Sequence, residues 1–235
     1  MKRVCLLLCF ALLAACSSPT SNETTTAAST GAASTGADTT VAATRPIVQE
    51  NWQPLFNHQD LAGWDILPGG EWYVEDGVLV GTSPASEERH GILVSQEEYG
   101  DFKLRVVYKA NQGNSGLYFR VEKVGEPYNV AGFQAEIDPE KDAGGLYETS
   151  GRAWVVQPDP ADVQRWYKPG AWNEMVVVAI GKDVTVYVNG EKTAELTDDP
   201  GREKGYIGVQ LHGEMDMDVR FKDIEIIENP QDETV

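Results

Sequence analysis

Polar side chains alternate with apolar ones in three short segments of the sequence. Segment by segment, they are Tyr118 and Arg120; Gln134, Glu136 and Asp138; and Gln210 and His212. Because successive side chains of a β-strand point to opposite faces, each set shares one face of its strand. Carboxyl, amide, phenol, guanidinium and imidazole groups all form hydrogen bonds with vicinal hydroxyls. The pattern therefore predicts a surface that contacts carbohydrate.

Ordinary structural explanations compete with this interpretation. One face of an antiparallel sheet is often simply exposed to water, and Glu136 with Arg120 could form a cross-strand ion pair. Aromatic rings stack on the apolar faces of sugars, which makes Trp154, Tyr147 and Trp172 candidate binding residues, although a single aromatic residue is more often a core residue than a ligand platform. His90 follows three charged residues and is interpreted as a loop residue exposed to solvent, with a position in the site as the less favoured alternative.

The elements that must position these side chains are strands. Residues 46–230 contain about a dozen short strand-like runs with turn signals between them. The dipeptides Asp76-Gly77 and Asn189-Gly190 each lie between two such runs and are typical of β-hairpin turns. No window of eleven or more residues shows a convincing helical period. We therefore predict an all-β fold, a jelly-roll β-sandwich of two antiparallel sheets.

Three details of the strand pattern make sharper predictions. The continuous apolar run Met175–Ile180 predicts a strand covered on both faces. In the last run the apolar phase changes near Lys222-Asp223, which predicts a β-bulge. Trp72 and Trp172 lie beside strong strand runs and are predicted to be core residues.

The first 45 residues have a different composition. Lys2 and Arg3 precede the apolar segment Val4–Ala15, which is shorter than the roughly 20 residues that a spanning helix needs. The segment leads into Leu13–Cys16, which looks like a bacterial lipobox, so we expect a signal peptide over 1–15 and lipidation of Cys16. Residues 16–45, rich in Ser, Thr and Ala, are expected to be a disordered tether. Residues 46–230 form the domain and 231–235 a tail.

Composition narrows the choice of partners. The formal charge is −18 with a pI near 4.5, which argues against binding to nucleic acid and against electrostatic docking on anionic lipid. We expect a carbohydrate partner, and membrane contact through the lipid anchor only.

All three cysteines, Cys5, Cys9 and Cys16, lie in the first sixteen residues, so the domain has no disulfide, zinc thiolate or cysteine nucleophile. The expected location is the bacterial cell envelope, facing the periplasm or the cell surface.

A series of motifs carries a family resemblance. In chain order they are Leu55–Trp64, Trp72–Leu79, Tyr99–Phe102, Asn114–Arg120, Gly132–Asp138, Gly145–Glu148, Trp172-Asn173, Val188–Gly190 and Gly205–Gly213. Together they resemble the 3-keto-disaccharide hydrolase domain family, whose members have a concanavalin-like jelly roll. Two positions depart from the family pattern: His58 replaces the usual Gly, and Glu136 stands where many members have Gln.

The resemblance implies cleavage of glycosides whose sugar is already oxidised at C3. The ketone acidifies the hydrogen on C2, so a base can remove it and the C1 substituent can leave by elimination. The site then needs a base near C2, a group that stabilises the enolate oxygen and a proton donor for the leaving oxygen. On this basis Glu136 or Asp138 is a candidate base, His212 a candidate acid or base, and Arg120 a candidate for the enolate.

The same residues suggest a substrate-binding set and a metal site. The candidate substrate-binding residues are Gln134, Tyr118, Asn114, Gln210, Trp154, Tyr147 and Glu148. Glu136, Asp138 and His212 would suit a divalent metal ion with mixed oxygen and nitrogen ligands.

Two other functions remain open at this stage. The same fold could hold glycans without cutting them, as a carbohydrate-binding lipoprotein. It could also hydrolyse ordinary glycosides with two carboxyl groups, since Glu136 and Asp138 would lie about 6–7 Å apart along a strand. The pattern of jelly-roll glucanases is absent, however, because position 141 is Lys.

Overall fold

The structure, a computed structural model, describes residues 50–126 and 128–230. The predicted signal peptide, tether, Cys16 lipidation and tail lie outside these residues. The elements in chain order are β1 (Gln53–Pro54), β2 (Trp64–Leu67), β3 (Glu71–Glu75), β4 (Val78–Ser83), β5 (Gly91–Tyr99), β6 (Phe102–Gln112), β7 (Ser115–Lys123), β8 (Val130–Ile137), β9 (Leu146–Thr149), β10 (Ala153–Val156), α1 (Pro160–Trp166), β11 (Asn173–Ile180), β12 (Asp183–Val188), β13 (Glu191–Leu196), β14 (Gly205–Leu211) and β15 (Met217–Glu228).

The strands form two antiparallel sheets. An eight-stranded sheet has the order β13-β12-β11-β6-β15-β4-β3, with β1 added beside β15. A seven-stranded sheet has the order β10-β9-β8-β7-β14-β5-β2. The prediction of an all-β jelly-roll sandwich is confirmed.

The hydrophobic core lies between the inner faces of the two sheets. Phe102, Leu104 and Val106 of β6 alternate with outward-facing polar residues, as the sequence pattern indicates. On the seven-stranded sheet the odd-numbered residues of β8, such as Phe133 and Ala135, belong to the same core. The even-numbered residues of β8 therefore lie on the outer face, and this division of faces positions the candidate site.

Both predicted hairpin turns are present. Asp76 (φ 51°) and Gly77 (φ 76°) connect β3 to β4, and Asn189 (φ 51°) and Gly190 (φ 86°) connect β12 to β13. Two consecutive residues with positive φ are the type I′ geometry, which matches the twist of the flanking strands. The β-bulge predicted near Lys222-Asp223 also occurs, as a register shift between Phe221 and Asp223.

Two predictions about burial are wrong. The apolar run in β11 is not covered on both faces: Met175 and Val177 are buried, whereas Val176 and Val178 are partly exposed on the outer face. Trp172 is 40% exposed rather than a core residue, although Trp72 is buried as predicted. In the described part of the chain, no helix has the length and apolar character to span a membrane.

Candidate functional site

A pocket of about 580 Å³ opens on the outer face of the seven-stranded sheet. This volume suits a small-molecule ligand. Every predicted catalytic or binding residue except Arg120 and Asp138 lines it. The full lining is His90, Asn114, Tyr118, Tyr128, Gln134, Glu136, Tyr147, Glu148, Thr149, Ser150, Gly151, Ala153, Trp154, Gln210, His212 and Glu214.

The floor of the pocket is a closed ring of four hydrogen bonds. Gln210 Nε2 donates to the Tyr118 hydroxyl at 2.9 Å, and that hydroxyl bonds Thr149 Oγ1 at 3.2 Å. Thr149 Oγ1 donates to Gln134 Oε1 at 3.2 Å, and Gln134 Nε2 donates to Gln210 Oε1 at 3.2 Å. All the donors run in one direction around the ring, an arrangement in which hydrogen bonds polarise one another. The floor therefore holds its amide groups in a fixed orientation.

The floor requires a glycine on the neighbouring strand. Gly116 lies opposite Glu136 in the β7–β8 pairing. A Cβ atom at Gly116 would lie 2.4 Å from Gln134 Nε2, closer than real contacts allow. The glycine of the Asn114-Ser115-Gly116 motif thus makes space for the Gln134 side chain.

Glu136 is the buried carboxyl group of the site. Burial raises the pKa of Glu136 to about 8, and the nearby carboxylates of Asp138 and Asp142 act in the same direction. Hydrogen bonds from Gln134 and Asn114 favour the ionised form, but their effect on the pKa is smaller than that of burial and the two carboxylates. A carboxyl with this pKa is mostly protonated at neutral pH and can donate a proton.

The other acidic candidates have different surroundings. Asp138 is buried but does not line the pocket, and its Oδ1 accepts a hydrogen bond from the Glu140 amide at 2.7 Å. Glu148 lines the pocket and forms an ion pair with Arg152. Arg152 also binds both carboxylate oxygens of Asp199, at 2.8 and 2.9 Å. Glu148 is therefore held in place as an anionic acceptor, unlike Glu136.

Two histidines lie side by side at one end of the pocket. The ring centroids of His90 and His212 are 4.4 Å apart, with an interplanar angle of 70°. His212 Nδ1 lies 2.6 Å from the Gly213 carbonyl oxygen, which can only accept, so Nδ1 carries the proton. In the neutral ring the lone pair of His212 is then on Nε2. His90 is partly buried in the pocket lining, which is the less favoured of the two interpretations of this loop residue.

Aromatic rings stand on two sides of the pocket. Tyr147 and Trp154 pack edge to face with centroids 5.4 Å apart. On the histidine side, Tyr128 lies 5.4 Å from the His90 ring and is 46% exposed. These rings offer apolar faces beside polar groups, the combination that the sequence predicted for sugar contact.

Sequence reasoning missed several lining residues. Thr149 follows Tyr147 at the two-residue spacing of a strand face, so the alternation already contained a signal for it. No local pattern indicates the others, which reach the pocket from loops or strand ends. They are His90, Tyr128, Ser150, Gly151, Ala153 and Glu214.

Arg120 does not share the pocket face with Tyr118, so that prediction is wrong. The β7–β8 register shifts between the pairs Phe119–Phe133 and Glu122–Ala131. Arg120 lies in this irregularity with a φ of 50°. A bulge interrupts the alternation of side chains, so residue spacing no longer predicts the face.

The Arg120 side chain is instead buried away from the pocket, with 1% of its surface exposed. Its guanidinium donates to the carbonyl oxygens of Gly100 (3.1 Å) and Gly181 (2.7 Å) and to Asp101 (3.2 Å). A longer contact of 3.5 Å reaches the Arg202 carbonyl oxygen. Arg120 therefore ties together three loop segments, and it cannot stabilise an enolate in the pocket.

The predicted metal set does not assemble. Within residues 50–126 and 128–230, no group of three or more His, Cys, Asp or Glu side chains has a metal-binding arrangement. Glu136 and His212 line the pocket, but Asp138 does not. The described residues do not fit the divalent ion that the sequence suggested.

Comparison with known proteins identifies relatives of this fold. A candidate glycosyl hydrolase from Parabacteroides distasonis is 22% identical, with a TM-score of 0.56 over 76% of this chain and 94% of that one. A second one from the same organism is 25% identical, with a TM-score of 0.53 over 76% and 100%. The carbohydrate-binding module CBM66 from Bacillus subtilis, 17% identical, has a TM-score of 0.52 over 69% and 93%.

A search of curated proteins gives no match. A family model described as the 3-keto-alpha-glucoside-1,2-lyase-like domain matches residues 51–227. This range spans well over half of the chain and contains the whole pocket. The protein therefore belongs to the 3-keto-alpha-glucoside-1,2-lyase-like domain family.

Proposed function

We propose that this protein cleaves 3-keto-glycosides by elimination across the C1–C2 bond. Its family membership supports a carbohydrate-related function. The observation that carries the proposal is the pairing, in one pocket, of the buried carboxyl of Glu136 with the Nε2 of His212. A carboxyl that holds a proton and a basic ring nitrogen are the two groups that this elimination needs.

His212 acts as the base in this mechanism. Its Nε2 takes the hydrogen on C2 as a proton, and the electrons of that C–H bond form the enolate of the C3 ketone. The hydrogen bond from Nδ1 to the Gly213 carbonyl stabilises the resulting imidazolium, because the carbonyl dipole points at the charged ring. Removal of this proton is feasible only when C3 is a ketone.

Glu136 acts as the acid in the next step. The enolate re-forms the ketone, a C1–C2 double bond appears, and the C1–O bond breaks with its electrons on the leaving oxygen. The Glu136 carboxyl donates its proton to that oxygen, so an alcohol leaves rather than an alkoxide. Water then adds across the double bond, with hydroxyl on C1 and hydrogen on C2, and the products are a free 3-keto sugar and the aglycone.

The charge of the pocket agrees with a neutral sugar as substrate. Glu136, Glu148 and Glu214 are its acidic residues, and none of the lining residues in the described part of the chain is Lys or Arg. A phosphorylated or carboxylated sugar would meet no cation there. The aromatic sides and the amide floor supply what a neutral pyranose requires.

The test of the proposal compares oxidised and unoxidised substrates. The purified full-length chain is incubated with 4-nitrophenyl 3-keto-glucoside and with 4-nitrophenyl glucoside, and nitrophenol release is followed by absorbance. We expect release from the 3-keto compound only. Equal release from both would instead indicate an ordinary two-carboxyl hydrolase.

A non-catalytic carbohydrate-binding protein is the second candidate function. The exposed Tyr128 and the open pocket favour it, because a binder needs accessible rings and no chemistry. The same samples distinguish the two functions by calorimetry. If calorimetry shows binding while neither compound releases nitrophenol, the enzyme proposal is wrong and the carbohydrate-binding function is supported.

We also propose that the protein is a lipid-anchored protein of the bacterial cell envelope. The support is the sequence Leu13-Ala14-Ala15-Cys16 after a short apolar segment. In a bacterial host fed with labelled palmitate, we expect label on the wild-type chain and none on the Cys16→Ser variant. A labelled variant, or an unlabelled wild type, would contradict the anchor.

A further inference from the structure

One backbone unit sets the tautomers of both pocket histidines. The Gly213 carbonyl accepts from His212 Nδ1 at 2.6 Å, whereas the Gly213 N–H donates to His90 Nδ1 at 3.4 Å. The Gln210 amide also lies 3.4 Å from His90 Nδ1. An N–H can only donate, so His90 Nδ1 is unprotonated and the proton sits on Nε2. The two rings thus present opposite groups, a basic Nε2 from His212 and an Nε2–H from His90.

The Nε2–H is the remaining hydrogen-bond donor of the His90 ring. Among residues 50–126 and 128–230, no group forms a hydrogen bond with it, although the ring lines the pocket. Burial lowers the pKa of His90 to about 4, and the neighbouring His212 adds to this effect. The ring therefore stays neutral and keeps its donor at neutral pH.

The position of His90 relative to His212 is fixed by the backbone. The Glu214 amide donates to the Glu87 carbonyl oxygen at 2.6 Å, which joins the two loops that carry the histidines. A Cβ atom at Gly213 would lie 2.4 Å from the Glu88 carbonyl oxygen. Only glycine permits this close approach, so the loops cannot separate without losing the contacts.

The proposed elimination leaves one chemical need without an assigned residue. Negative charge develops on the C3 oxygen when the C2 proton is removed, and this charge requires a donor. Arg120 lies elsewhere, and the pocket lining in the described part of the chain contains no Lys or Arg. A neutral imidazole N–H can polarise a carbonyl oxygen without becoming a competing acid.

We propose that His90 is a second catalytic imidazole, whose Nε2–H donates a hydrogen bond to the C3 carbonyl oxygen of the sugar. The inference rests on the proposed function and adds to it the group that polarises the C3 carbonyl. His90 gives up no proton: its hydrogen bond strengthens as the enolate forms and weakens as the ketone re-forms. His212 takes the C2 proton from the adjacent carbon, which agrees with two rings 4.4 Å apart.

Two substitutions separate this role from simple packing. The amide nitrogen of Gln reaches the position of His Nε2, whereas that of Asn reaches only the position of Nδ1. We expect His90→Asn to lower kcat on 3-keto-glucosides about 10²-fold, as loss of one oxyanion donor does. His90→Gln should recover at least a tenth of the wild-type kcat.

The matched control is a histidine outside the pocket. His58 is exposed and has a φ of 61°, a conformation that Asn tolerates well. His58→Asn should leave kcat unchanged. Equal kcat values for wild type and His90→Asn would overturn the inference, and so would an equal loss in the Gln and Asn variants.

A spectroscopic measurement reports on the hydrogen bond itself. The probe is 3-keto-1,5-anhydroglucitol, which has the ketone but no leaving group at C1. We expect the infrared carbonyl band of the bound probe to shift to lower frequency in wild type and in His90→Gln, but not in His90→Asn. A shift that persists in His90→Asn would assign the donor to another residue.

The two proposals fail in different ways. If the wild-type chain releases no aglycone from any 3-keto-glucoside, the proposed elimination is wrong, and the inference about His90 is wrong with it. If the wild type is active but substitution of His90 changes neither the rate nor the carbonyl band, only the inference about His90 is wrong.

Discussion

Replacing Glu136 with glutamine is expected to lower kcat on methyl 3-keto-glucoside about 10³-fold, within the usual range for loss of a general acid. Methoxide is a poor leaving group, so its departure depends on proton donation. The amide introduced by Glu136→Gln has nearly the shape of the protonated carboxyl and preserves contacts with the floor of the pocket. The measurement is steady-state release of methanol, with wild type as reference.

The leaving group identifies the step in which Glu136 acts. Nitrophenolate is stable without a proton, so the same variant should lose far less activity on 4-nitrophenyl 3-keto-glucoside. If Glu136 were instead the base that removes the C2 proton, both substrates would suffer equally. An equal loss would therefore exchange the roles of Glu136 and His212.

The pH dependence follows from the same carboxyl group. Burial raises the pKa of Glu136 to about 8, so the acid form is present below that pH and disappears above it. For wild type we expect kcat/KM on the methyl glycoside to decline as the pH rises through about 8. In Glu136→Gln this decline should be absent, and a decline that persists would assign it to another group.

Stability provides the control for Glu136→Gln. In the unfolded chain the carboxyl ionises near its ordinary pKa of 4.5, whereas in the folded chain it holds its proton to about 8. The folded state binds more protons between these values, so the ionisation of Glu136 lowers the stability of the fold as the pH rises through that range. The variant lacks this effect and should gain stability relative to wild type with rising pH, as urea unfolding at pH 5 and pH 9 will show.

Replacing Arg120 with methionine is expected to destabilise the fold by about 3–5 kcal/mol, because a hydrogen bond to a charged group contributes about 1.5–3 kcal/mol and two carbonyl oxygens lose theirs. Methionine retains an apolar side chain of similar length but none of the donors. The carbonyl oxygens of Gly100 and Gly181 then lose charge-assisted hydrogen bonds, and Asp101 loses its ion-pair partner. Urea denaturation should show a large fall in the midpoint.

The comparison variant is Arg165→Met on α1. The Arg165 side chain is 66% exposed and forms an ion pair with Asp162 on the same helix, so its loss should cost less than about 1 kcal/mol. If the Arg120→Met variant remains folded, it should keep the wild-type kcat and KM, because the Arg120 side chain lies away from the pocket. Full stability combined with lost activity would return Arg120 to the catalytic set.

The contrast between Tyr118 and Arg120 shows how far alternation can be trusted. Two residues apart on one strand, they are expected to share a face, yet only Tyr118 reaches the pocket. At the interruption, Arg120 and Val121 lie opposite Gly132, which has a φ of 142°, and a Cβ atom at this glycine would lie 2.9 Å from the Arg120 carbonyl oxygen. That proximity depends on a strand about a dozen residues away in sequence, and the local pattern does not contain it.

The amino-acid sequence predicted the strands, their hairpin turns, and three of the four residues of the pocket floor, Tyr118, Gln134 and Gln210, whereas Thr149 was missed. These depend on side-chain alternation and turn chemistry, which are properties of neighbouring residues. Tertiary structure decided that His90 meets His212, that Glu136 is buried enough to hold its proton, and that Arg120 serves the fold instead of the pocket. Each of these depends on the distance between distant segments and on exclusion of water, which exist only once the two sheets are assembled.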